Sequence, residues 1–127
     1  MGYNDRTIPN VITLCGSTKF KDHFRYANLY YTLGDNVVMS CAWFGHTDKD
    51  TWYPSEEEKI LLDKVHRSKI DLSDEIVVID VYGYIGESTL SEIKYAKDQG
   101  KKITYLSSDA HLLNYLGDKV GFEEGPW

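Results

Sequence analysis

The stretch EIVVIDVYGYIGESTLSEIKYAKDQGKKITYL, from Glu75 to Leu106, decides the fold. Its opening run, Glu75 to Asp80, is almost uninterruptedly apolar, as expected of a strand buried on both faces at the centre of a parallel sheet. A glycine-bearing loop follows from Val81, and a helical pattern then runs to Gln99 with Gly100 as its stop. Lys102 to Leu106 (KITYL) reads as the next strand. Strand, helix and strand in this order make the crossover unit of a parallel sheet, with the helix lying on one face.

The same alternation extends towards the amino terminus. Val11 to Leu14 is a strand and Cys15 to Thr18 the turn after it; Lys19 to about Leu33 then carries Phe20, Phe24, Ala27 and Tyr31 at helical spacing and ends at Gly34. Asn36 to Cys41 is a second strand. Ser55-Glu56-Glu57-Glu58, behind Pro54, is a capping box that opens a helix to about Leu72, with Leu61, Val65 and Ser68 on one face. A short last helix spans Asp109 to Leu116, and Gly117 to Trp127 has no clear pattern. The alternation predicts right-handed crossovers and an α/β domain whose parallel sheet is covered on both faces. In such sheets ligands bind beyond the carboxyl ends of the strands, where the strand order reverses. By this reading the loops Cys15 to Lys19, Ala42 to Pro54 and Val81 to Thr89 converge there.

A chain of 127 residues, 42% hydrophobic, is the size of one domain with one core and no linker. Its 20 acidic residues outnumber 14 basic ones, giving a net charge of -6, and no basic run offsets them. This balance argues against a nucleic-acid polymer as partner, although a small anionic ligand needs only one local pocket. Cys15 and Cys41 lie at predicted strand ends without C-x-x-C spacing and read as buried free thiols of a reducing compartment. Neither a signal-peptide pattern nor an apolar stretch of membrane-spanning length occurs, so the expectation is a soluble cytoplasmic protein without a membrane partner.

Gly16-Ser17-Thr18-Lys19 and Gly86-Glu87-Ser88-Thr89 each pair a glycine with hydroxyls at a helix start, where free N-H groups and the helix dipole favour a phosphate or carboxylate. Each also reads as a plain helix cap. Glu92 has two readings as well. Thr89-Leu90-Ser91-Glu92 fits a capping box, which would fold the carboxylate back onto the backbone. Ala96, one turn on, shares a face with Leu90 and Ile93, which puts Glu92 at the border of the buried side. A carboxylate there is costly unless paired or used in catalysis. In the second loop Trp43, Phe44, Trp52 and Tyr53 flank His46 and Asp48, either as a stacking wall for a nucleobase or as packing on the scaffold or a partner subunit. His46, Asp48 and Asp50 lack the spacing of a metal site, so neither metal nor cofactor is expected. Tyr26, Tyr30 and Tyr31 read as core or dimer surface.

LCGST after the first strand, then SDEIVVID, then GYIGESTLSEIKYAKDQGKKITYL resemble the nucleoside 2-deoxyribosyltransferase superfamily, over roughly Val11 to Leu106. The resemblance implies a flavodoxin-like three-layer sandwich with a four- or five-stranded parallel sheet. It also implies a homodimer or higher homo-oligomer, in which Ser107, Ser108 or the C-terminal tail reaches a neighbouring site. Glu92 is implied as the nucleophile that attacks the anomeric carbon of a nucleoside or nucleoside 5'-monophosphate. Water then takes the sugar in an N-glycosidase, another base in a deoxyribosyltransferase.

For phosphate the resemblance points to Gly16, Ser17, Lys19, Gly86 and Ser88, with Lys19 a point charge where arginine would grip with two bonds. Cys15, Trp43, Phe44, Asp80 and Tyr84 complete the expected substrate-binding set. The family's second acid falls on His66, not on an acid, so His66 or Asp71 is expected to move the proton; Asp71 and Asp74 equally read as polar punctuation between helix and strand. The loop from Val81 to Ser91 is longer than in the monophosphate N-glycosidases, which brings Glu87 or Tyr84 towards the ligand, and Glu87 would repel a phosphate. Two rival readings stand beside catalysis: a domain that binds a nucleotide or nucleotide-derived signal without turnover, and a structural domain whose aromatic loop is an interface.

Overall fold

The computed structural model describes residues 8–45 and 52–120. The strands are β1 (Val11–Gly16), β2 (Val37–Met39), β3 (Glu75–Ile79) and β4 (Lys102–Tyr105), and the helices α1 (Lys21–Leu33), α2 (Glu56–Leu72), α3 (Glu87–Asp98) and α4 (Ala110–Val120). All strand pairs are parallel, in the order β2-β1-β3-β4. This is an α/β, flavodoxin-like three-layer sandwich. The chain steps outward from β1 to β2, returns past β1 to β3 and continues to β4, so the strand order reverses between β1 and β3.

Side-chain alternation divides the core. Ile12 and Leu14 of β1 and Val77 and Ile79 of β3 pack with Phe24 and Ala27 of α1 and Leu112 and Leu116 of α4. Cys15, Ile76 and Val78 point to the other face and pack with Ile70 of α2 and Ile93 and Ala96 of α3. Helices that follow steps in opposite directions must lie on opposite faces if every crossover keeps one hand, and α1 and α3 do so. The four adjacent β3 residues Ile76 to Ile79 are wholly buried, as their apolar run predicts.

Local chemistry sets the ends of the elements. At α2 the capping box forms: Ser55 Oγ accepts from Glu58 N at 3.2 Å, and Glu58 Oε1 accepts from Ser55 N at 2.8 Å. α3 stops in a left-handed turn at Gly100 (φ 72°), with Gly100 N donating to Lys97 O and Lys101 N to Ala96 O. α1 ends at Leu33 with Gly34 as its C-cap, as expected, and the next residue, Asp35, takes the left-handed conformation (φ 67°). α4 runs on to Val120, past the expected Leu116. β1 continues through Cys15 and Gly16, which pairs with Ile79. A Cβ at Gly16 would lie 3.0 Å from the Ile79 carbonyl oxygen and 3.2 Å from the Phe24 ring.

Two helix faces differ from expectation. On α2 the buried positions are His66 and Ile70, whereas Leu61, Val65 and Ser68 are exposed. The second half of α2 covers the sheet, and the first half stands over a cleft. On α3 the buried stripe is Thr89, Ile93 and Ala96, with Leu90 exposed. Among the described residues no helix is long and apolar enough to cross a membrane.

Candidate functional site

A cleft of about 850 Å³ opens at the carboxyl edge of the sheet, beside the β1–β3 switch. Its size suits a small-molecule ligand. All three expected loops reach it. The first brings Gly16, Ser17 and Thr18, the second Cys41, Ala42, Trp43 and Trp52, and the third Tyr84 with Gly86, Glu87, Ser88 and Thr89. α2 supplies a further wall that the loop argument did not contain, made by Glu58, Leu61, Asp63, Val65, His66 and Lys69. Lys69 Nζ donates to Ser40 O at 2.7 Å, which ties this wall to the chain leaving β2.

Glu92 lines the cleft from the second turn of α3. It lies too far along the helix to cap it: Gly86 is the N-cap and Thr89 already sits inside the first turn. The capping reading is therefore overturned. Glu92 Oε1 lies 3.8 Å from His66 Nε2, and His66 Nε2 lies 3.5 Å from the Cys15 Sγ. A β-strand end, the middle of α2 and the start of α3 thus bring three ligand-type side chains within 4.8 Å of one another.

Burial dominates the electrostatics of this group. It raises Glu92 to about 7 and outweighs the pull of the Cys15 hydrogen bond, Asp63 raises it further, and Arg67 lowers it. Burial likewise lowers His66 to about 4, helped by Lys69 and opposed by Asp63. The His66–Glu92 contact is therefore between a neutral imidazole and a carboxyl that is half ionised near pH 7, not a standing ion pair. Cys15 is held well above the ordinary thiol range, by burial first and then by the charge of Glu92.

The expected site residues divide clearly. Gly16, Ser17, Trp43, His66, Tyr84, Gly86, Ser88 and Glu92 line the cleft, with Cys15 beneath it against His66. Ser17 also caps the short 3-10 turn Thr18–Phe20, accepting from Lys19 N. Lys19 places its ammonium 3.7 Å from the centre of the Tyr84 ring, outside the cleft lining. The remaining three are corrected.

Phe44 packs edge-on against Phe24 at 5.2 Å and lies half-buried against the core instead of lining the cleft. Asp80 is buried and accepts from both Ser107 N (2.9 Å) and Ser107 Oγ (2.6 Å), so its carboxylate and the Ser107 hydroxyl satisfy each other. Asp71 is exposed in the last turn of α2, where Tyr95 donates to it at 2.6 Å. α2 runs back from the carboxyl edge to the amino edge, which carries Asp71 away from the cleft. Asp74 likewise accepts from Val11 N at 2.8 Å at the start of the sheet, which is the punctuation role.

His46, Asp48 and Asp50 lie outside the described residues. Trp43 instead meets Trp52 (5.8 Å) and Tyr53 (5.5 Å) edge-on, forming an aromatic flank to the cleft. Two features went unread in the sequence. Asp63 lies one turn before His66 on α2 and faces the same cleft, a signal available from the i, i+3 spacing. The grouping of Cys15, His66 and Glu92 comes from three separate elements, and no local spacing announces it.

Comparison with models of protein families finds no match to this chain, and comparison with curated proteins finds none.

Proposed function

We propose that the protein cleaves or transfers the N-glycosidic bond of a nucleoside or nucleoside 5'-monophosphate, with Glu92 as nucleophile. The observation that carries this reading is Glu92 itself: a mostly buried carboxylate that caps nothing and lines a cleft of ligand size at the β1–β3 switch. In the reaction the Glu92 carboxylate forms a bond to the anomeric carbon as the bond to the base nitrogen breaks. The released electron pair stays on the base, which takes up a proton. Water or an acceptor base then attacks the glycosyl ester on the opposite face and frees the carboxylate.

The group that moves the proton follows from the chemistry of the candidates. A neutral His66 with a conjugate acid near 4 has no acidic proton to give at pH 7. It acts instead as the neighbour that orients Glu92. Asp63, an exposed carboxylate on the cleft wall, takes the proton of the attacking water or acceptor base, and the leaving base draws its proton from solvent in the open cleft. The first-turn N-H groups of α3, which no side chain caps, and the Ser17 and Ser88 hydroxyls bind the sugar or its phosphate. Trp43 offers an indole N-H without a hydrogen-bond partner among the described residues, and with Trp52 it flanks the base.

The reading includes a homodimer in the cytoplasm and no nucleic-acid polymer as partner. Sedimentation of the purified protein checks the dimer. The function is tested by incubating the protein with a panel of nucleosides and 5'-monophosphates, with and without an acceptor base, and measuring free base and exchanged nucleoside. Base release or exchange is expected, lost in folded Glu92→Ala and strongly reduced in Asp63→Asn. Tight stoichiometric binding with no base released from any member would replace catalysis by the binding-only reading.

A further inference from the structure

Cys15, His66 and Glu92 form a set of donor atoms with the dimensions of a metal site. For a tetrahedral zinc ion, bond lengths of about 2.3 Å to sulfur and about 2.0–2.2 Å to nitrogen and oxygen place neighbouring ligand atoms about 3.4–3.6 Å apart. The observed separations are 3.5 Å from Cys15 Sγ to His66 Nε2 and 3.8 Å from His66 Nε2 to Glu92 Oε1. All three donor atoms lie within 4.8 Å of one another, so closing on an ion requires shifts of about 1 Å or less. The three side chains come from β1, α2 and α3, all packed on one core, so the scaffold holds the donors in place before any ion arrives.

We infer that these three residues bind a zinc ion, with the fourth position open to the cleft, and that the bound ion blocks the cleft by sequestering Glu92. Charge balance favours zinc over hard cations. Binding releases the thiol proton to solvent, and the thiolate and carboxylate together neutralise the 2+ ion, so a neutral cluster is buried rather than a net charge. The thiolate and imidazole select zinc against magnesium or calcium, which take oxygen ligands. Cys15 is wholly buried, but His66 and Glu92 line the cleft and give the ion its entry. Metal binding is independent of the glycosidic reading; the block on turnover rests on it.

The test loads chelator-treated protein with Co²⁺ and with Zn²⁺. One equivalent of Co²⁺ should give a thiolate-to-cobalt charge-transfer band in the near ultraviolet, displaced by one equivalent of Zn²⁺ and untouched by excess Mg²⁺. Cys15→Ser should abolish the band, and Cys15→Ser and His66→Asn should each weaken zinc binding at least about tenfold. Circular dichroism confirms that each variant is folded, and Cys15→Ala stands in if the serine variant is not. Cys41→Ser should keep the band. Absence of stoichiometric uptake, or a band that survives in Cys15→Ser, overturns the site. In the second arm zinc should abolish the base release of active protein and a chelator should restore it. Unchanged turnover with zinc bound overturns the block, while a protein without base-releasing activity is still decided by the cobalt spectrum.

Discussion

Glu92 and His66 titrate in opposite senses. The folded state raises Glu92 from 4.5 to about 7, so its contribution to stability is present below 4.5 and is lost as the pH rises through 7. His66 is depressed from 6.5 to about 4, so its contribution is present above 6.5 and is lost as the pH falls through 4. The two slopes cancel between about 4.5 and 6.5. In a chelating buffer Glu92→Gln should therefore leave stability rising with pH from 4 to 6.5, and should stabilise the protein at pH 8 by about 2 kcal/mol, a figure discounted for partial exposure. Denaturant melts across pH check this; a variant no more stable than wild type at pH 8 would show that burial does not strain the carboxylate. The same substitution should lower kcat by at least about 10³-fold. Wild-type kcat/KM should rise as the pH passes about 7 and the nucleophile ionises. Asp71→Asn should leave turnover unchanged and cost about 1 kcal/mol or less, since the carboxylate only accepts from Tyr95 at an exposed position.

At the scale of elements, α2 and α3 carry the argument because each bridges sheet and cleft. Ser55→Ala removes the capping box of α2 and should cost about 1 kcal/mol in a denaturant melt. Asp80→Ala should cost more, about 2 kcal/mol, because it strands the half-buried Ser107 N-H and hydroxyl that hold the chain after β4. The capping box was legible because Ser55 and Glu58 are three residues apart and need nothing from the rest of the chain. The facing of α2 was not. Leu61 and Val65 have the spacing of a core stripe, yet they border the cleft, and only the position of the helix over the sheet edge decides which apolar residues are covered. Thr89 misled in the same way: its sequence fits an N-cap, but Gly86 opens the helix one turn earlier and leaves Glu92 free to face the cleft.

For the whole molecule, the alternation of apolar runs and helical patterns determines a parallel sheet, and the β2-β1-β3-β4 order places the cleft at its switch point. The three loops that meet there were legible because each follows a strand. Sequence alone does not show which edge or layer Asp71, Asp80 and Phe44 occupy, and the structure puts them at the amino edge, in a part-buried pair with Ser107, and half-buried against the core. Cys15, His66 and Glu92 meet only because three elements share one core, and tertiary contacts of that kind leave no local trace in sequence. Gly16 secures the switch point itself: Gly16→Ala should cost about 1–3 kcal/mol by pressing a methyl against the Ile79 carbonyl and the Phe24 ring, read as a lowered denaturation midpoint. The central claim is the covalent role of Glu92, and intact-protein mass spectrometry on samples quenched during turnover tests it most directly. The expected result is one added glycosyl group, mapped to the peptide that contains Glu92 and absent from Glu92→Gln. Base release at full rate in Glu92→Gln, or a glycosyl group on another residue, would contradict it.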